Sequence, residues 1–252
     1  MDNKQIIITT SWDDGHALDL KLAEMLEKYN VKGTFYVPIT NDEHAVMTDS
    51  ELTQLAAKHE IGGHTVHHIY LNKLGNTDAK YEVTQCKGML EDKIGKLVDA
   101  FCYPGGKYSD RDIVNVRDAG YLFGRTTKLL HSSLHMPNAL MHTTVQAYNH
   151  SSIVLTKHCV KNAYFQPIIQ NGMFLQSNKN FLKLVDLQME SMLKTGGVFH
   201  LWGHSWEIEE FGLWNQLEAV LKKIAFNDNV LYLNNTETWK VVNNISTNNC
   251  IL

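Results

Sequence analysis

Short apolar runs alternate with segments of helical periodicity along most of the chain. The first run, at 6–10, consists entirely of β-branched residues, and the apolar positions that follow it between Ala17 and Leu26 have helical spacing. The same order recurs in about seven strand–helix units, and such runs are typical of parallel strands that are covered on both faces. The pattern therefore predicts an α/β protein built on a parallel sheet.

The predicted elements are regular except between 128 and 172, where the pattern weakens. Thr48 and Glu51 have the spacing of a capping box, so a helix is expected to start there. Further predicted strands lie at 33–38, 60–64, 101–106, 120–127, 141–148, 197–204 and 230–233. Further predicted helices lie at 77–97, 153–162, 181–193 and 213–226, and two others start near 109 and 236.

This alternation favours a single distorted (β/α) barrel with about seven parallel strands. An open doubly wound sheet is the alternative, but the glycine-rich phosphate fingerprint is missing after the first strand. No linker of Pro, Gly and Ser divides the chain, so residues 1–242 are predicted to form one domain. Residues 243–252 are rich in Asn, Thr and Ser, and we expect them to be a frayed tail.

Composition narrows the possible partners. A net charge of −4 and a pI near 6.3 disfavour a nucleic-acid-binding surface, and no Lys/Arg-rich run indicates a membrane-surface patch. No segment has the length of a transmembrane helix, and the N-terminus lacks the apolar core of a signal peptide. The four cysteines are far apart, as expected for reduced thiols. These features predict a cytoplasmic protein without integral membrane association and leave its oligomeric state open.

Two adjacent acids, Asp13 and Asp14, follow the first predicted strand directly. Asp and Gly are common turn residues, so "DDG" alone indicates a turn. In a parallel barrel, however, the carboxyl ends of all strands share one face, where ligands bind. Ionisable or motif-forming residues recur at these ends, namely Asp13, Asp14, His64, Tyr103, Gly105, Arg125 and His204.

The stretch "GGHTVHH", residues 62–68, is the densest group of candidate metal ligands. If the chain turns into a helix after Gly63, His64 and His68 share one face and can reach one ion. Together with Asp14 they would form a two-histidine, one-carboxylate set that suits zinc, cobalt, nickel or iron. His67 is an alternative ligand. Asp13 would then be free to act as a general base.

Two of these motifs resemble one enzyme family. "TSWDDG" at 10–15 resembles the T-F-D-D-G motif of the NodB-type polysaccharide deacetylases, carbohydrate esterase family four. "HTVHH" at 64–68 matches that family's H-[ST]-x-x-H motif, and "GTFYV" at 33–37 resembles its second strand. The resemblance extends over about the first 125 residues and returns near 198–204.

The resemblance implies a distorted barrel that removes N- or O-acetyl groups from sugars with the help of one divalent metal ion, most often zinc. It implies a catalytic base at Asp13 and metal ligands at Asp14, His64 and His68. The family's R-x-P-x-G motif aligns with 102–106, which implies that the Gly105 N–H helps to hold the oxyanion and that Tyr103 lies at the site. A late histidine is implied as the general acid.

The chain departs from the family pattern in two places. Cys102 stands where the family usually has an arginine that steadies the base. Arg125, at the next strand end, could reach across and substitute, or it could be an ordinary surface or ion-paired arginine. The D-x-x-D-W-type motif that supports the acid is not recognisable in the weakly patterned middle of the chain.

His200 and His204 are the candidates for the acid, and they share one face of a predicted strand. His204 is nearer the carboxyl end and is preferred, whereas His200 has the position of a buried core histidine. Trp202, Trp206 and Trp214 form either an aromatic wall for a sugar ring or part of the core. Glu207, Glu209 and Glu210 are expected to be a solvated helix start.

These features predict a metal-dependent carbohydrate deacetylase whose partner is an acetylated sugar, with no nucleic acid involved. Because no export signal is recognised, a nucleotide- or lipid-linked glycan precursor is the preferred substrate. One alternative is an amide hydrolase that acts on small substrates other than sugars. The other is a non-catalytic glycan-binding protein.

Overall fold

The computed structural model describes residues 5–161 and 180–249, which contain nine strands and nine α-helices. The strands are β1 Ile6–Asp13, β2 Gly33–Val37, β3 Glu60–Gly63, β4 Ala100–Cys102, β5 Phe123–Arg125, β6 Leu140–Met141, β7 Val145–Gln146, β8 Gly197–Gly203 and β9 Val230–Tyr232. The helices are α1 Asp19–Lys28, α2 Asp49–Lys58, α3 Asn76–Ile94, α4 Asp110–Asp118, α5 Ser152–Lys161, α6 Phe181–Thr195, α7 Ser205–Glu210, α8 Trp214–Ile224 and α9 Asn235–Asn249. Single 3₁₀ turns occupy Leu71–Lys73, Pro104–Gly106 and Pro137–Ala139.

Strand β1 is the centre of the sheet. All eight of its residues are buried, which explains why its apolar part reads as a continuous run rather than an alternation. It pairs with β8 along one edge, while its other edge pairs with β9 near Ile6–Ile8 and with β2 near Thr10–Asp13. This pairing fixes the direction of the whole sheet, because every ladder is parallel.

The remaining strands follow in the order β6-β5-β4-β3-β2-β1-β8-β7. The two end strands, β6 and β7, are joined through residues 142–144 and do not form a ladder with each other. Within this link, the Thr143 N–H donates to the Lys128 carbonyl (2.9 Å) and the Thr144 N–H to the His200 carbonyl (2.9 Å). We call residues 140–146 the seam. The predicted α/β fold with a parallel sheet is confirmed, and strand hydrogen bonds do not close the barrel.

Several predicted boundaries differ from the observed ones. The strand expected at 141–148 is divided into β6 and β7, and the strand expected at 120–127 is limited to Phe123–Arg125. Helix α9 extends to Asn249, into the segment for which a frayed tail is predicted. The capping box is present, with the Thr48 hydroxyl accepting from the Glu51 N–H and the Glu51 carboxylate accepting from the Thr48 N–H.

Because the strands are parallel, their carboxyl ends lie on one face of the sheet, and the core lies around them. Large side chains fill the barrel and its helical shell, among them Trp12, Phe35, Phe101 and Phe199, all of which are fully buried.

None of the described helices is both long enough and apolar enough to span a membrane.

Candidate active site

The turn after β1 brings two carboxylates to the same edge of the sheet. Asp13 is the last residue of β1, and Asp14 has a φ of +79°, an uncommon backbone conformation for a residue with a side chain. Gly15 follows with a φ of +60°, and a Cβ atom there would lie 2.7 Å from the Val37 side chain. The turn therefore depends on glycine at 15, and both carboxylates are almost completely buried.

The side chains of His64 and His68 both approach Asp14, and they do so from a loop rather than from a helix. Residues 64–68 form a loop after β3, with positive φ angles at Thr65 (+68°) and His68 (+52°), so the helix expected after Gly63 is wrong. The Nε2 atoms of His64 and His68 lie 3.5 and 3.1 Å from Asp14 Oδ1. The loop thus produces the predicted grouping by another backbone path.

Neighbouring groups fix the orientation of these three side chains. His64 Nδ1 donates a hydrogen bond to the Cys102 carbonyl (2.8 Å), so Nε2 is the ring atom that faces Asp14. The Trp206 indole N–H donates to Asp14 Oδ2 (2.8 Å). Although burial opposes its ionisation, the two imidazoles hold the pKa of Asp14 well below its usual range.

The set fits a divalent metal ion. The ligand atoms of Asp14, His64 and His68 all lie within 4.8 Å of one another, and buried Asp14 Oδ1 has no hydrogen-bond partner among the described residues. Two imidazoles and one carboxylate are common ligands of zinc and of other transition metals. His67 lies outside this set, since its Nδ1 contacts Glu82 Oε1 at 2.5 Å.

Asp13 forms a buried ion pair with Arg125. An Nη atom of Arg125 contacts Asp13 Oδ1, and both side chains are shielded from solvent. The guanidinium lies 5.2 Å from the ring centre of Tyr36 and 4.8 Å from that of Trp202. Arg125 therefore reaches the carboxylate that was assigned as the base.

Cys102 is the register partner of Arg125 across β4 and β5. Side chains at paired positions of parallel strands lie on the same face of the sheet, so both residues face Asp13. Cys102 Sγ lies 3.7 Å from Asp13 Oδ2, and burial raises the pKa of this thiol. A second set of ligand atoms, from Asp13, His64 and Cys102, also lies within 4.8 Å. Because Arg125 already neutralises Asp13, this set is less suited to a cation.

His204 lies near the other carboxylate oxygen of Asp14, Oδ2. Its Nε2 is 4.0 Å from Asp14 Oδ2, and its Nδ1 is 3.2 Å from Glu207 Oε2. Burial lowers the pKa of His204, but the bond to Glu207 and the carboxylates of Asp14 and Asp13 outweigh this effect and raise it. His204 is therefore suited to hold a proton beside the proposed metal ligands.

Glu207 contradicts the expectation of a solvated helix start. Its side chain is only 14% exposed and also accepts a hydrogen bond from Gln146 Nε2 (3.1 Å). The spacing His204-x-x-Glu207 at a strand-to-helix junction was the available sequence signal, because residues three apart on a helix are neighbours. Glu209 and Glu210 are exposed as expected.

His200 is a core residue. It is completely buried, and its ring contacts Ser11 Oγ (2.8 Å) and the His142 carbonyl (3.1 Å). Burial lowers the pKa of His200 to about 3, and the charge of Arg125 acts in the same direction. This histidine does not line the cleft.

A cleft of about 370 Å³ opens above the paired acids. The residues named so far that line it are Asp13, Asp14, His64, His68, Gly105, Gln146, Trp202, His204 and Trp206, and the others are Glu43, Tyr70, Thr127, Leu129, His150, Val154 and His158. Gly105 has a φ of +57°, and a Cβ there would lie 2.8 Å from the Tyr70 ring. A larger residue would therefore both strain the turn and push Tyr70 into the cleft.

Two of the predicted aromatic contacts lie away from the cleft. Tyr103 is fully buried and packs between Phe101 and Tyr108, with ring-centre distances of 5.3 and 4.7 Å. Trp214 contacts Glu209 and Lys21 instead of the cleft. The Tyr103 side chain and Trp214 are therefore not placed to contact a substrate.

The sequence match covers the half of the chain that carries the two acid and histidine motifs. Residues 1–124 match the polysaccharide deacetylase family model. The Bacillus subtilis protein YxkH, assigned to the same family, is 27% identical over 128 residues, which are 50% of this chain and 45% of YxkH. The chain thus spans less than half of the length of this curated relative.

The fold match covers nearly the whole chain. A Mycobacterium smegmatis protein assigned to the polysaccharide deacetylases superposes with a TM-score of 0.70 at 17% identity, covering 97% of this chain and 92% of that one. The peptidoglycan deacetylase PdaC from Bacillus subtilis, solved as the D285S mutant, gives a TM-score of 0.60 at 14% identity, covering 99% and 98%. At these identities the superpositions establish the fold, and the sequence similarity to the polysaccharide deacetylase family lies in residues 1–124.

Proposed function

We propose that this protein is a metal-dependent deacetylase that hydrolyses an acetyl group on a sugar. The observation that carries the proposal is the meeting of three groups in one cleft. These groups are the Asp14–His64–His68 set, the Asp13–Arg125 ion pair and the His204–Glu207 pair. A metal ligand set, a base and an acid within reach of one bound carbonyl are what hydrolysis of an amide or ester requires.

Asp14, His64 and His68 would hold the ion, with zinc as the expected metal and cobalt, nickel or iron as alternatives. A divalent ion bound there supplies Lewis acidity to the acetyl carbonyl and lowers the pKa of water. His64 is already oriented for this task by the Cys102 carbonyl, and Asp14 by the Trp206 indole.

Asp13 is the proposed general base. It lies beside Asp14 and forms a buried ion pair with Arg125, which holds the carboxylate where it can accept a proton from the attacking water. Arg125 is thus a positioning residue for the base.

His204 is the proposed general acid. With Glu207 fixing Nδ1, Nε2 faces the Asp14 side of the cleft and can donate a proton to the leaving nitrogen. The backbone N–H of Gly105, which lines the same cleft, is the proposed oxyanion donor. Trp202 and Trp206 present aromatic surface to a sugar ring.

The proposed substrate is an N-acetylated sugar, with an O-acetylated sugar as the alternative. Its attachment to a nucleotide or lipid carrier and a cytoplasmic location follow from the sequence argument alone and stay predictions. A comparison of acetate release from a sugar nucleotide, a neutral N-acetylhexosamine oligomer, an insoluble acetylated polymer and a simple anilide tests the nature of the substrate.

Acetate released from any of the sugars by the zinc-loaded protein supports the proposal. Turnover of the anilide alone would favour the small-amide hydrolase. Sugar binding without acetate release, by protein with its metal bound, would favour the glycan-binding alternative. Either of the last two results contradicts the proposed function.

Replacing Glu207 with Gln tests the acid. The amide cannot stabilise an imidazolium as a carboxylate does, so the pKa of His204 falls and the protonated form is lost at a lower pH. We expect the alkaline limb of the kcat profile to move toward lower pH and kcat at neutral pH to fall about tenfold or more, with metal content unchanged. Glu210→Gln, an exposed residue of the same helix, is the control. A Glu207→Gln profile that overlays the parent profile would refute the assignment.

A further inference from the structure

A second, smaller cavity of about 20 Å³ lies next to the seam and shares no lining residue with the cleft. This volume holds one water molecule or one ion. Its lining contains His131, Ser133, His135, Met136, Leu140, His142 and Val198. Three imidazoles and one thioether around a space of this size form a set that the proposed deacetylase chemistry does not use.

His131 and His142 form the inner part of this set. Their ring centres are 4.6 Å apart in an edge contact, and both side chains are half-buried. His142 Nδ1 hydrogen-bonds the Thr126 hydroxyl (2.8 Å), which leaves Nε2 as its ligand atom. Burial lowers the pKa of His131 to about 4 and that of His142 to about 3, so both are neutral near pH 7.

His135 is the exposed member of the set, four residues after His131. Its backbone N–H bonds Ser133 Oγ (2.9 Å), which forms a turn in the loop. The ligand atoms of the three histidines do not all lie within 4.8 Å of one another. Binding of one ion by all three therefore requires the exposed His135 side chain to turn toward the other two.

We propose that His131, His135 and His142 bind a second transition-metal ion, of the class that prefers imidazole ligands, such as Zn²⁺ or Cu²⁺. No carboxylate lines this cavity among the described residues, so Mg²⁺ and Ca²⁺ lack their usual ligands there. The ion would connect the loop of His131 and His135 to the seam residue His142. It would thus support the part of the sheet that strand hydrogen bonds leave open.

Zinc binding to the parent and to three variants tests this site. After equilibrium dialysis against Zn²⁺, we expect two equivalents in the parent protein and one in His64→Ala. One equivalent is also expected in His135→Ala, and none in the double variant. Because His135 is exposed, its replacement leaves the fold intact. His67→Gln, which removes an imidazole bound to Glu82, is the matched control and should keep two equivalents.

Thermal unfolding of the His64→Ala variant provides the second readout. Added Zn²⁺ should raise its Tm, since an ion that binds only the folded state stabilises it. This rise should be absent from His64→Ala/His135→Ala. One equivalent in the parent that His135→Ala leaves unchanged, or a rise in Tm that persists in the double variant, would overturn the proposal. Neither result depends on acetate release, so this proposal can fail while the deacetylase assignment stands.

Discussion

Asp14→Ala is expected to lose one equivalent of bound metal and all measurable acetate release. The substitution removes the carboxylate that lies between the two imidazoles, within 3.1 Å of His68 Nε2. Replacing groups that only orient metal ligands costs about 10–100-fold in metal affinity, so losing a ligand should cost more than about 100-fold. Metal content after dialysis, measured beside the activity, checks this prediction.

Two further variants make this experiment specific. His64→Ala should behave like Asp14→Ala, because its Nε2 belongs to the same set. His67→Ala, the neighbouring histidine bound by Glu82, should keep its metal and its activity. Undiminished metal content in both Asp14→Ala and His64→Ala would show that the ion, if bound, lies elsewhere.

Asp13→Asn is expected to keep the metal but lose activity. The amide has the shape of the carboxylate but cannot accept a proton, and general-base catalysis contributes about 10²–10⁴-fold. We therefore expect kcat to fall by about that factor while the metal content stays equal to that of the parent. A variant with full activity and full metal content would exclude Asp13 as the base.

Asp13→Asn also breaks the ion pair with Arg125 and so affects stability, and a double variant separates this effect from the effect on catalysis. Asp13→Asn leaves the Arg125 charge buried without its partner, and breaking a buried pair costs about 3–5 kcal/mol of stability. Asp13→Asn combined with Arg125→Gln removes both charges, so its Tm should recover toward that of the parent. If activity stays low after the stability has returned, the loss is chemical rather than structural.

The sequence predicted which candidate residues lie close together better than it predicted the backbone that connects them. The β-branched run at 6–10 marked β1, and parallel pairing then required the two acids and the other strand ends to share one face. His64 and His68 were grouped on the assumption of a helix. The observed loop depends on positive φ angles at Thr65 and His68, which the pattern of side chains does not predict.

Side-chain packing was the other feature that could not be predicted from the sequence. Glu207 has the pattern of a helix start with favourable charge, and only the approach of Gln146 shows that it is enclosed. Tyr103 lies two residues before Gly105, yet its ring packs against Phe101 and Tyr108 in the core. In both cases the outcome depends on partners that are remote in sequence or on which face is buried, and local patterns do not contain this information.

The register of β4 and β5 has a consequence for how such a site can change over generations. Positions 102 and 125 are side by side, and an arginine at either one faces Asp13. A chain that carried arginine at both positions could lose the one at 102, and the Asp13 carboxylate would still be paired with the arginine at 125. The reverse order would leave Asp13 without a charged partner at the intermediate step. The arginine could therefore have moved to the adjacent strand by two single substitutions, with Asp13 paired to a guanidinium at each stage.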